Sequence, residues 1–112
     1  MAERTDLTIP YSALAFESER VAVLNPPSSE HEVLSALLME TVRHYGEALA
    51  EGAGIVPVSV TIDVTGIVSG EAPVRFEAEI DRKTRTLLFI GGEASQAGGP
   101  LLKATAVYRI TV

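Results

Sequence analysis

From residue 33 onward, apolar side chains return every third or fourth position: Val33, Leu34, Leu37, Leu38, Val42, Tyr45, Ala48 and Leu49, with Thr41 in the same stripe. That spacing gathers them on one face of a helix. Ser29-Glu30-His31-Glu32, just ahead of the stripe, matches a capping box, in which the serine accepts from an amide of the first turn and the glutamate reaches back. Gly52 and Gly54 supply the stop that helix ends favour. The pattern predicts a helix of about 22 residues, about 33 Å long at 1.5 Å per residue.

At Val56 the period falls from 3.6 to 2. Val56, Val58, Val60, Ile62 and Val64 alternate with Ser59, Thr61, Asp63 and Thr65, and Val74, Phe76, Ala78 and Ile80 alternate with Arg75, Glu77, Glu79 and Asp81. A third run covers residues 84–95. A fourth, residues 101–112, carries Leu102, Ala104, Ala106, Tyr108, Ile110 and Val112 on one face. Ser69-Gly70, residues 81–84 and Ala97-Gly98-Gly99-Pro100 read as turns, so the four runs predict an antiparallel meander. Upstream, residues 20–24 (RVAVL) form a short β-branched run stopped by Pro26-Pro27, and residues 1–17 have room for a further short strand or turn. Strands of this length span about 30–40 Å, matching the helix, which can then lie along the concave face of a curled sheet. Gly91-Gly92 inside the third run predicts a bulge or bend that aids the curl. The expected fold is α+β: one long central helix wrapped by a curved antiparallel sheet of about five strands, in a single domain over residues 1–112, with residues 1–18 unassigned.

Composition narrows the chemistry. There is no cysteine, which excludes disulfides, thiolate metal sites and a cysteine nucleophile. Fifteen acidic residues against nine Lys and Arg give a net charge of −6, the opposite of the basic surface that nucleic acid requires. No apolar run approaches the ~18 residues of a membrane span, and the first residues lack the pattern of a signal peptide. A cytoplasmic location, no membrane and no nucleic-acid partner are therefore expected. The segment GGEASQAGG does not open a helix and so is no phosphate loop, and no serine lies in a nucleophile elbow. Glu40 and His44 share a helix face but are too few for a metal site, and none is expected. Glu40 can equally pair with Arg43 or His44 one turn on. Arg82, Lys83 and Arg85 concentrate positive charge at one hairpin of an otherwise acidic chain. That suits either a solvated hairpin tip or contact with ligand phosphates.

Short strand, long helix and four antiparallel strands is the element order of the hotdog fold, and cystatin-like domains share it. At the helix entrance the chain resembles thioesterases of the phenylacetate-degradation type. That family has an Asn, then His-Gly-Gly, then an acidic residue nine positions after the His. Here Asn25 precedes His31, Glu40 lies nine after His31, Thr41 follows as Thr often does in the family, and the stretch reads HEVLSALLMET. The closing run LLKATAVYRITV is also similar to the family's last strand. The resemblance implies hydrolysis of small or medium acyl-CoA or acyl-carrier thioesters. Glu40 would act as base or nucleophile, His31 would stand beside helix amides that hold an oxyanion, Asn25 would orient water or substrate, and Arg82, Lys83 and Arg85 would meet the coenzyme A phosphates. It implies a homo-oligomer, a dimer or dimer of dimers with sites between protomers, and no cofactor beyond the coenzyme A of the substrate. The chain departs from the pattern at both glycines, which are Glu32 and Val33. A hotdog domain that binds an acyl ligand or a partner chain without catalysis is the alternative, and a cystatin-like binding module is a second. A hydratase reading fails on the missing Asp and the wrong Asn-Pro-to-His spacing.

Overall fold

The computed structural model describes residues 8–111. Residues 1–7 and Val112 lie outside them, and with them part of the unassigned N-terminal segment and the last residue of the fourth run. The described chain runs through a 3-10 turn (Tyr11–Ala13), β1 (Leu14–Phe16), β2 (Val21–Leu24), α1 (His31–Leu49), β3 (Gly54–Val64), β4 (Val74–Lys83), β5 (Leu87–Gln96) and β6 (Gly99–Thr111). The six strands form one antiparallel sheet in the order β1-β2-β4-β5-β6-β3. The expected five strands become six, because Leu14–Phe16 pairs with Val21–Leu24 at the edge.

The helix is 19 residues rather than about 22, and its start corrects the capping-box reading. Glu30 is the N-cap and receives no side-chain cap. Ser28 Oγ accepts from the Glu30 amide at 3.2 Å, a local turn of the kind serine favours, and the helix opens with Leu34 N–H on the Glu30 carbonyl. At the other end Glu51 and Gly52 take positive φ (52° and 97°), and Lys83 Nζ donates to the Leu49 carbonyl at 2.8 Å. This cation satisfies one of the four carbonyls left over at a helix C-terminus.

The strand order corrects the simple meander. β4, β5 and β6 are sequential neighbours, but β3 pairs with β6, so residues 65–73 carry the chain from one side of the sheet to the other. Alternation tells which face a residue takes, not which strand lies beside it. The valine run of β3 also changes phase. A bulge between Pro57 and Ser59 shifts the register, so Val56 pairs with Arg109 on the outer face while Val60 pairs with Ala106 on the helix side. As an edge strand, β3 stays largely uncovered, with Val56 and Val64 49% and 62% exposed.

Further bulges fall between Ile80 and Arg82 and between Ala94 and Ser95. None falls at Gly91-Gly92, which pair in regular register with Ala78–Glu79 and Ala104–Thr105. Gly92 serves another purpose. A Cβ there would lie 2.8 Å from Val42 Cγ2 and 3.1 Å from Leu38 Cδ1, so the missing side chain lets the helix settle on the sheet. Gly46 does the same from the helix side, where a Cβ would lie 2.9 Å from Ile55 Cδ1. Leu34, Leu37, Leu38 and Val42 on the helix and Val74, Phe76, Leu88, Ile90 and Leu102 on the strands are fully buried between these layers. Each such side chain stabilises the fold by roughly 1.5–3 kcal/mol. Thr41 is buried among them, with its hydroxyl donating to the Leu37 carbonyl at 2.9 Å.

Candidate active site

Because the sheet covers only one side of α1, the opposite stripe of the helix is left open. Ala36, Met39, Glu40 and Arg43 follow one another along it at helical spacing. Together with this stripe, Ile55, Pro57 and Val60 of β3, Tyr11 ahead of β1 and Tyr108 of β6 line a cavity. The cavity holds about 320 Å³, within the range of small-molecule sites. Its walls are largely apolar, and its polar groups converge at Glu40, Arg43 and Tyr108.

Glu40 is held by its neighbour. Arg43 donates from both Nε (3.0 Å) and Nη2 to Glu40 Oε1, and its Nη1 lies 2.9 Å from Glu47 Oε1. The hydrogen bond to Glu40 is the chief cause that raises the Arg43 pKa and keeps the guanidinium charged. Glu40 Oε2 makes no hydrogen bond with any described residue. Tyr108 is only 2% exposed, and burial pushes its phenol above the usual tyrosine value, with Arg43 opposing the shift and Glu40 and Glu47 adding to it. It lines the same cavity as the Glu40 carboxylate.

The other residues singled out from the sequence lie elsewhere. His31 begins the helix and bonds through Nε2 to the Gly66 carbonyl at 3.0 Å, fastening the β3–β4 connection. Nine residues of helix, about 14 Å of rise, separate it from Glu40. Asn25 is exposed after β2, at a cis bond to Pro26, and does not line the cavity. Arg82, Lys83 and Arg85 stay together at the β4–β5 hairpin, with Arg82 6.0 Å over the Phe89 ring and Lys83 on the helix end. Of the two glycine positions of the resembled motif, Glu32 is exposed and Val33 is packed into the core. His44 stacks on Phe16 at 4.1 Å and bonds the Glu19 carbonyl, so it holds the N-terminal strand to the helix. Among the described residues no cluster of His, Asp and Glu could hold a metal ion. No described helix is long and apolar enough to cross a membrane.

A second hollow of about 520 Å³ lies on the sheet's outer face, lined by Asp63, Glu77, Glu79, Asp81 and Glu93 with Lys103 as its one cation. Its carboxylates would repel an anionic thioester. The residue that sequence reasoning passed over is Tyr108, counted among the core side chains of the last strand. One signal was available: it is the sole hydroxyl on a stripe of Leu102, Ala104, Ala106 and Ile110, and the alanines leave space next to it.

No profile of a known protein family matches the sequence, and no curated protein matches it. Solved structures do match in fold. A phenylacetic acid degradation-related protein of Ralstonia eutropha, described as a thioesterase, superposes with a TM-score of 0.69 at 19% identity over 80% of this chain and 74% of that one. AziG of S. sahachiroi gives 0.78 at 16% identity over 91% and 96%. A Bacillus halodurans protein crystallised with CoA gives 0.74 at 12% over 87% and 70%. The chain has the hotdog fold, shared with these solved structures, and not a cystatin-like one.

Proposed function

We propose that the protein is a thioesterase-like hydrolase of small or medium acyl-CoA thioesters, with Glu40 as its general base. The observation that supports this most is the Glu40 carboxylate, fixed on one oxygen by Arg43 and open on the other, at the polar end of an apolar cavity. The acyl chain would lie along Met39, Ile55 and Val60. A water attacks the carbonyl carbon as Glu40 takes its proton; the carbonyl π-electrons move to oxygen. Collapse of the adduct breaks the C–S bond, and the protonated Glu40 returns its proton to the departing thiolate. Arg82, Lys83 and Arg85 supply the positive surface suited to the phosphates of coenzyme A.

The uncovered valines of β3 support a homodimer joined through that edge, since pairing removes exposed strand groups. Such an assembly is also the way for His31 and Asn25 to approach a Glu40, that of the other protomer. The test is thiol release from a panel of acyl-CoA thioesters, short aliphatic to aromatic. Turnover that Glu40→Gln abolishes, with the fold intact, is expected; an unchanged rate in Glu40→Gln sinks the assignment.

One observation favours a second reading, an acyl-binding hotdog domain without catalysis. Val33 is packed into the core and Glu32 stands beside it where the resembled family has glycines. A carboxylate at the helix entrance opposes developing negative charge. Thermal stabilisation by acyl-CoA thioesters without turnover is the result this reading expects.

A further inference from the structure

We propose that the hydroxyl of Tyr108, from β6, is the oxyanion donor of this site, taking the place of the helix-entrance amides. The inference rests on the thioesterase reading and adds to it a second catalytic residue. The helix entrance is poorly suited to the task, whether it is the protomer's own, about 14 Å along the helix from Glu40, or one that a partner would present: His31 is engaged with Gly66, and Glu32 and the packed Val33 stand where the resembled family has glycines.

Inside the cavity three side chains can donate. Arg43 is committed to Glu40 and Glu47. Tyr11 is about half exposed, so water weakens its bond. Tyr108 is 98% buried as a residue, yet its hydroxyl makes no hydrogen bond with any described residue. The residue lines the cavity together with Glu40 and Arg43. A hydroxyl donor on a largely buried side chain, lining the same cavity as a carboxylate base, is an arrangement that can stabilise charge appearing on a carbonyl oxygen. Burial keeps the phenol protonated, and the Arg43 cation adds favourable field at the same end. As water attacks with its proton passing to Glu40, the carbonyl electron pair becomes an oxyanion that accepts from the Tyr108 O–H. The pair returns as the C–S bond breaks, and Tyr108 keeps its proton throughout.

The experiment compares Tyr108→Phe, Glu40→Gln and, as a control away from the cavity, Tyr45→Phe. Readouts are steady-state thiol release and binding of two inert probes: a ketone analogue of the thioester and a tetrahedral phosphonate analogue. Tyr108→Phe is expected to lower kcat on the order of 10²-fold, the loss typical of one oxyanion donor, with KM little changed. It should weaken phosphonate binding by a similar factor while sparing the ketone, a split that loss of packing would not produce. Wild-type turnover in Tyr108→Phe beside a dead Glu40→Gln overturns the donor and leaves the base standing. Wild-type turnover in Glu40→Gln, or none in the unmodified protein, removes the thioesterase reading and the donor with it.

Discussion

Arg43 places two nitrogens on a single oxygen of Glu40 one helical turn away, and its remaining nitrogen reaches Glu47. The fork holds the carboxylate by one oxygen and leaves the second without a hydrogen bond to any described residue, as the proposed base requires. Lysine carries the charge but not the planar fork. Arg43→Lys and Arg43→Met should both reduce kcat, roughly 10-fold or more, because a displaced base loses alignment. Thermal stability should barely change. The pair is partly exposed, and such pairs contribute only about 0–1 kcal/mol. Full activity in Arg43→Met would show that Glu40 needs no such support.

The glycine under the helix gives a stability prediction of opposite character. Alanine normally improves a strand position over glycine, yet Gly92→Ala puts a Cβ within 2.8 Å of Val42 and 3.1 Å of Leu38. Overpacking of this kind costs about 1–3 kcal/mol. Melting should fall by several degrees, and Val42→Ala in the same chain should recover part of the loss beyond additivity. A melting point at or above wild type would mean that the helix rides higher than described.

Tyr108 also makes stability depend on alkaline pH. Its folded pKa lies above the unfolded value of about 10, so the folded state holds the proton more tightly. The resulting stability is fully present below pH 10 and is lost as pH rises through the folded value. Between pH 9 and 11, denaturant midpoints of wild type should therefore fall more steeply than those of Tyr108→Phe. Parallel curves would show that the phenol ionises as easily in the fold as out of it.

Val58 sits at the β3 bulge, more than half exposed on an edge with no neighbour. Val58→Lys should convert a dimer to a monomer in light scattering, and should lower melting only by the concentration-dependent stabilisation that association supplies, since the position is exposed within the protomer. A wild-type protein of monomer mass at all concentrations would remove the dimer reading.

The sequence carried the helix and the strands because each has an unmistakable period, whereas Glu40 was singled out there by its place nine residues after His31 in the resembled motif. It did not carry the pairing of β3 with β6, since alternation is silent about neighbours. Nor did it carry the bulge at Pro57–Ser59, which swaps the faces of half a valine run that reads as continuous. The helix entrance was misassigned by one step because Ser28 and Ser29 are adjacent and equally able to make a turn. Tyr108 was hidden for a physical reason: a tyrosine on a buried stripe looks the same whether its hydroxyl meets a partner or a hollow. The separation of His31 and Glu40 along the helix and the burial of Val33 both followed from helical spacing, whereas the bond of His31 to the Gly66 carbonyl required the packed structure.

The cavity's two sides come from opposite ends of the sheet: Tyr11 precedes β1, the first strand in spatial order, and Ile55 and Val60 belong to β3, the last. The width of the mouth is thus set by the accumulated twist of every strand between, like the gap in a rolled sheet of paper. A ligand that grips both rims would tie together strands that share no hydrogen bond. Amide exchange should then slow at β1 and β3 in concert, while the interior strands β4 and β5, already shielded, change little.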